Sequence, residues 1–318
     1  MQEQTILLMI TRRHLRTKVM QALYAQQLDP TDSTKAGESW ILKSSQDFYL
    51  LYITLLDLFR ELNACGHALF EKNTKKHLQE DENETNPKFF SNKALLALCD
   101  NAALATQVKK HKLNYWKNHN EYVRLVWDEI TASAIYDKYL KTETTSLAQD
   151  QDFLMQLFST VIAPFDRLGE FMEEVNISWV DDAPLANTIV RNSLKRVAEP
   201  DAIITVLYKD DEDRKFSLEL FRKVLLNKPK LIEEIKGRTP NWDSDRIAEL
   251  DFTLLLMALA ELFYFPSIPV NVTINEYLEI AKEYATPKSS MFINGVLDNV
   301  VKDITKQKRI RKNARGMH

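Results

Sequence analysis

Only six glycines occur in this 318-residue chain, and that scarcity limits what it can fold into. Strand-rich folds spend glycine at left-handed turn positions. Here two-residue alternation of apolar and polar residues is also rare. Apolar residues instead recur at three- and four-residue spacing, the period of an amphipathic helix. The expected fold is all-α. A hydrophobic content of 45% is enough for a packed core and argues against global disorder.

The spacing predicts a first helix over 11–28, with Leu15, Val19 and Leu23 on one face and turn chemistry at Asp29-Pro30-Thr31-Asp32. Helical patterns resume over 40–73 and 92–139, separated by a polar, acidic loop at 80–87. Further helices are expected over 150–175, 184–197, 213–226, 230–236, 245–265, 274–284 and 289–304. Thr273 with Glu276 has the spacing of a capping box, and Ser289 stands where an N-cap would open the last helix. The basic tail after residue 306 has no acid and is expected to be disordered.

The formal net charge is −3, so polyanion binding has to come from local patches. Cys65 and Cys99 form neither a metal spacing nor a disulfide framework, a usage that suits a reducing cytoplasm. The longest apolar stretch, 252–265, contains Glu261 and falls short of the ~20 residues a membrane span needs. No membrane partner is expected. His111 and His119 lack a matching carboxylate cluster, and no glycine-rich loop follows a strand, so no metal, cofactor or catalytic residue is assigned.

Two distant segments carry the candidate site. From Gln4 to Leu28 there is no acid, yet Arg12, Arg13, Arg16 and Lys18 all occur. On a helix Arg13, Arg16 and Tyr24 fall within an arc of roughly 80°. Arg12 shares the azimuth of the apolar stripe but sits at the helix entry, where a long side chain swings outward. Guanidinium groups hold phosphates through forked hydrogen bonds and stack on bases. At the other end of the chain, Lys288, Phe292 and Asn294 lie at the start of the last helix and offer a cation, a ring and an amide. Together these are the means of holding single-stranded RNA. A solvated basic face and a core phenylalanine would give the same pattern. Gly295 inside a helix costs about 1 kcal/mol relative to alanine, a cost that close approach of a helix or ligand would explain.

The two segments resemble the NusB family of bacterial transcription antitermination factors. Arg12, Arg13 and Arg16 run into Gln21-Ala22-Leu23-Tyr24, as in the family's opening helix. Asp251, Glu261-Leu262, Pro269, Ile274-Asn275-Glu276, Ala281-Lys282 and Phe292-Ile293-Asn294-Gly295-Val296-Leu297-Asp298 match its closing signature in order. Residues 9–28 and 211–305 align with a compact member, whereas 30–210 look like a helical insertion and 1–8 like an extension. Met291 stands where compact relatives carry a lysine, and Lys288 where an acid can occur.

The resemblance implies a bundle of two small helical subdomains, interrupted here by the insertion. It implies binding of boxA-type single-stranded RNA of ribosomal operons together with NusE, a small-subunit ribosomal protein, within an RNA polymerase elongation complex. By motif position, Arg12, Arg13, Arg16, Tyr24, Phe292 and Asn294 would face the RNA, with Lys18 and Lys288 as further candidate cations. Asp251 and Glu261 lie toward NusE. Two other readings compete: a subunit of an RNA-modifying enzyme, and a lineage-specific helical scaffold. In the insertion, Trp40, Trp116, Trp127 and Trp179 are core residues or protein-binding anchors. The Lys109-Lys110-His111-Lys112 run, with Tyr115-Trp116-Lys117, reads as an extension of an RNA groove or as a solvated charged face.

Overall fold

The computed structural model describes residues 10–29, 33–76, 86–199, 203–204, 207–208, 210–236, 247–309 and 312–316. Among them every regular element is helical. The elements are α1 (Arg12–Leu28), α2 (Thr34–Lys76), a 3₁₀ turn (Pro87–Ser91), α3 (Lys93–Cys99), α4 (Ala102–Lys110), α5 (Tyr115–Asn118), α6 (Asn120–Ala132) and α7 (Ala134–Leu140). There follow α8 (Leu147–Leu157), a π turn (Phe158–Ile162), α9 (Asp166–Val175), α10 (Ser178–Lys195), α11 (Asp211–Lys236), α12 (Glu249–Tyr264), α13 (Val270–Tyr284) and α14 (Pro287–Lys306).

Two compact units result. A split unit joins residues 10–45 to 208–318, and an insert unit takes 46–207. The boundary between the two units falls within α2, at residue 46. In the split unit α12 is the centre. Every residue from Thr253 to Leu262 is buried, and α1, α11, α13 and α14 pack around it. Trp40, at 38% exposure, belongs to this unit. Trp116, Trp127 and Trp179 are buried in the insert unit, as core residues.

The insert unit has its own hydrophobic centre and a buried polar cluster. Asp150, 1% exposed, accepts the Tyr139 hydroxyl at 2.8 Å and the backbone N–H of Lys93 at 2.8 Å. Asn92 donates to the same hydroxyl at 3.0 Å, and Phe153 stacks on the Tyr139 ring at 3.7 Å between centroids. Burial, and then the adjacent Asp150, raise the Tyr139 pKa above its ordinary value.

Several boundaries differ from the sequence expectation for definable reasons. The 92–139 pattern is five helices, because Asn92, Asn101 and Ser133 cap new starts by accepting from Leu95, Leu104 and Tyr136 N–H groups. The 213–226 and 230–236 patterns form one helix that runs through Pro229. Val224, Leu231 and Ile235 are buried on either side, and that burial offsets the ~3 kcal/mol penalty of an interior proline. The last helix opens at Thr286 with Pro287 in its first turn, so Ser289 is not its cap. The acidic loop at 80–87 falls largely outside the described residues. Of the basic tail, 312–316 are held: Lys312 Nζ donates to the Phe265 carbonyl at 3.0 Å and Asn313 N–H to that of Pro266 at 3.0 Å. A Cβ on Gly316 would come within 2.2 Å of the Pro266 oxygen, which explains glycine there.

Candidate nucleic-acid interface

The two segments that carry the candidate site fold into the same unit. Helix α1 starts where expected, with Thr11 accepting from the His14 N–H at 3.2 Å. The stretch from His14 to Met20 is buried on all sides. Helix α1 therefore passes through the split unit, packed on α11, α12 and α13.

Its arginines divide by depth. Arg13 is the most open, at 46% exposure, and forks onto Glu276 with bonds of 2.8 and 3.2 Å. The hydrogen bond to Glu276 raises its pKa above the usual arginine value. Arg12, at 36%, donates to Asp213 at 2.7 Å and lies 5.3 Å from the centre of the Phe216 ring.

Arg16 is 2% exposed and forks onto Glu261 through two bonds of 2.8 Å. Glu261 is fully buried, and it also accepts from Thr273 Oγ1 at 2.9 Å and from Tyr277 Oη at 3.2 Å. Four donors thus meet two carboxylate oxygens, which uses the anion's full accepting capacity. Burial disfavours the Arg16 charge, but the facing Glu261 outweighs it and keeps the pKa above the ordinary value. Tyr277 is pushed well up by burial and by the same carboxylate.

This geometry corrects three expectations. Arg16 and Lys18, at 2% and 1% exposure, are turned into the interior and do not offer their cations to RNA. Glu261 is sealed inside and cannot meet a partner protein, because its charge is needed to compensate Arg16. Thr273 and Glu276 form no capping box. The helix starts at Val270 instead, which frees the Thr273 hydroxyl for Glu261 and the Glu276 carboxylate for Arg13 and Arg16.

Apart from Asp251, which is buried, the remaining candidates lie at or near the surface of the split unit. Tyr24, Phe292 and Asn294 are half-buried and Lys288 is exposed. Asn294 donates to Asp298 at 3.4 Å, one turn further on. Met291 is 69% exposed, and nothing lies within 4 Å of where a Gly295 Cβ would stand. Close approach of another part of the chain therefore does not explain that glycine. Asp251 is 7% exposed and bonded by Ser289, while its Oδ1 has no hydrogen-bond partner among the described residues. Burial raises its pKa.

The carboxylates that neutralise α1 were the residues sequence reasoning missed as a group. One signal was available for Arg16. It lies only about 20° from Leu23 on the helical wheel, at the edge of the apolar stripe. Among the described residues no group of His, Cys, Asp or Glu could hold a metal ion, and no helix is long and apolar enough to cross a membrane.

Comparison with known proteins fits this arrangement. The NusB family model matches residues 188–302, starting upstream of the expected boundary at 211. Over 111 residues the chain is 40% identical to the transcription antitermination protein NusB of Salinibacter ruber, covering 35% of this chain and 69% of that protein. Over 106 residues it is 38% identical to the protein of the same name from Bacillus licheniformis, covering 33% of this chain and 82% of that protein. The NusB of Geotalea uraniireducens is 42% identical over 85 residues, 27% of this chain and 59% of that protein. No solved structure matches the chain. The fold is all-α, its two terminal segments share one unit, and the chain belongs to the NusB family. Proteins of that family are non-enzymatic factors, and the relatives matched carry the name transcription antitermination protein.

Proposed function

We propose that this protein is a transcription antitermination factor that binds boxA-type single-stranded RNA of ribosomal operons, together with NusE, and joins an RNA polymerase elongation complex. The observation that carries the reading is the open edge of α1. The Arg12 and Arg13 side chains are 36% and 46% exposed, in the unit that also presents Lys288, Phe292 and Asn294. Each arginine already holds a carboxylate, so phosphate binding has to compete with Asp213 and Glu276. That competition suits weak binding by the protein alone and tighter binding when a basic partner completes the surface. With Glu261 sealed and Asp251 only 7% exposed, a NusE contact has to be made by the surface around Asp251.

The test is retention of a boxA-type RNA, with and without NusE, by a variant carrying Arg12→Ala and Arg13→Ala. Arg16 is left intact because its removal would unbalance the interior. Losing two phosphate contacts should flatten the log–log salt dependence by about 1.4. Affinity and slope equal to those of the unaltered protein would refute the reading.

A further inference from the structure

The turn between α4 and α5, in the insert unit, concentrates cations that form no ion pair among the described residues. Residues 101–120 hold Lys109, Lys110, Lys112 and Lys117 and neither Asp nor Glu. All four lysines are exposed, and none makes an ion pair among the described residues. Two acids of this unit have other neighbours. Asp57, which senses Lys117, accepts from Arg60 at 2.9 Å, and Glu121 lies 3.5 Å from His119 Nδ1.

Helix chemistry accounts for only part of this. Lys109 and Lys110 sit in the last turn of α4, where cations meet the negative end of the helix dipole. Lys112 and Lys117 lie beyond that end. Lys112 occupies the left-handed position of a Schellman turn, φ 52°, with Leu113 N–H donating to the Val108 carbonyl at 3.0 Å. The nearby rings are not free to stack on bases. Trp116 is buried and donates to the Thr54 carbonyl at 2.9 Å, and His111 sets its ring at 67° to that of Tyr49. The four lysines therefore offer point charges to phosphates, contacts that carry no base recognition.

We propose that this turn is a second contact for single-stranded RNA, made to the phosphate backbone without regard to sequence and carried by the insert unit. The proposal rests on RNA being the ligand of this protein, and it uses none of the α1 residues. The test measures binding of a uridine 30-mer between about 50 and 200 mM salt. The full chain is compared with a variant carrying Lys109→Gln, Lys110→Gln, Lys112→Gln and Lys117→Gln, and with the Arg12→Ala, Arg13→Ala variant.

Four lost phosphate contacts should flatten the log–log slope by about 2.8. Lys112→Gly is the folding control. Glycine is favoured at that backbone conformation, so the thermal midpoint should hold or rise while the slope flattens by about 0.7. A quadruple variant that keeps the full slope, while the α1 variant loses its share, overturns this proposal and leaves the α1 reading intact. The opposite pattern supports this surface and removes α1 as the site.

Discussion

Helix α1 and the α4–α5 turn look alike along the chain. Each lies in an acid-free stretch rich in cations. The fold treats them in opposite ways. Helix α1 meets Asp213, Glu261 and Glu276, acids 201, 245 and 263 residues away. The lysines of the turn form no ion pair among the described residues, and Asp57, which senses Lys117, is bonded by Arg60. Local charge counting thus overstates the free charge of a helix that runs through a core and is adequate for a turn on the surface. The same stretch of cations can be interior structure or available field, depending on what other elements bring to it.

The largest effect that would break this comparison lies at Glu261. With alanine in its place, Arg16 stays buried with no forked partner, and two hydroxyls lose their acceptor. Stranding one member of a buried pair costs roughly 3–5 kcal/mol. Chemical unfolding of Glu261→Ala should show that loss. A double change, Arg16→Met with Glu261→Met, should be milder, because a packed apolar pair needs no compensation. Loss of less than about 1 kcal/mol in the single variant would show Arg16 to be a surface cation after all.

The all-α class and the first helix were legible because the glycine count and the Leu15–Val19–Leu23 stripe are local properties. The meeting of the two ends was legible only through the family resemblance. The partners of the arginines were not, since ion pairs across more than 200 residues leave no local period. The Thr273–Glu276 spacing was misleading for the same reason. It satisfies a capping rule locally, but both side chains are taken by α1 and α12. The breaks in 92–139 were readable in part, because Asn92, Asn101 and Ser133 favour caps. Packing then decides whether such a residue starts a helix or rides along one.

A smaller effect concerns carboxylates. Glu261 has four donors, whereas Asp251 has Ser289 and an unbonded oxygen. Burial raises the folded-state pKa of Asp251 above 3.8. Between 3.8 and the raised value, the folded state therefore binds more protons than the unfolded state. Its contribution falls as pH rises through that window and is constant above it. Asp251→Asn should remove this dependence and raise stability at neutral pH by about 1 kcal/mol, provided the Ser289 bond persists. Parallel pH profiles for the two proteins would show that the shift has no thermodynamic weight.

The smallest effect on stability should come at Glu276, and it probes function most directly. The Arg13–Glu276 fork is exposed on the arginine side. Losing it should cost only about 0.2–1 kcal/mol. Glu276→Gln would, however, release Arg13 from its competitor and leave Arg16 anchored by Glu261. If phosphate and Glu276 compete for the same guanidinium, this variant should bind boxA-type RNA more tightly and with a steeper salt dependence, because the released cation adds a phosphate contact. The α4–α5 lysines have no such competitor, so no single carboxylate replacement in the insert unit should reproduce the gain. Weaker binding by Glu276→Gln would mean that the fork positions Arg13 for RNA. The neutralised helix and the open turn would then differ in geometry more than in available charge.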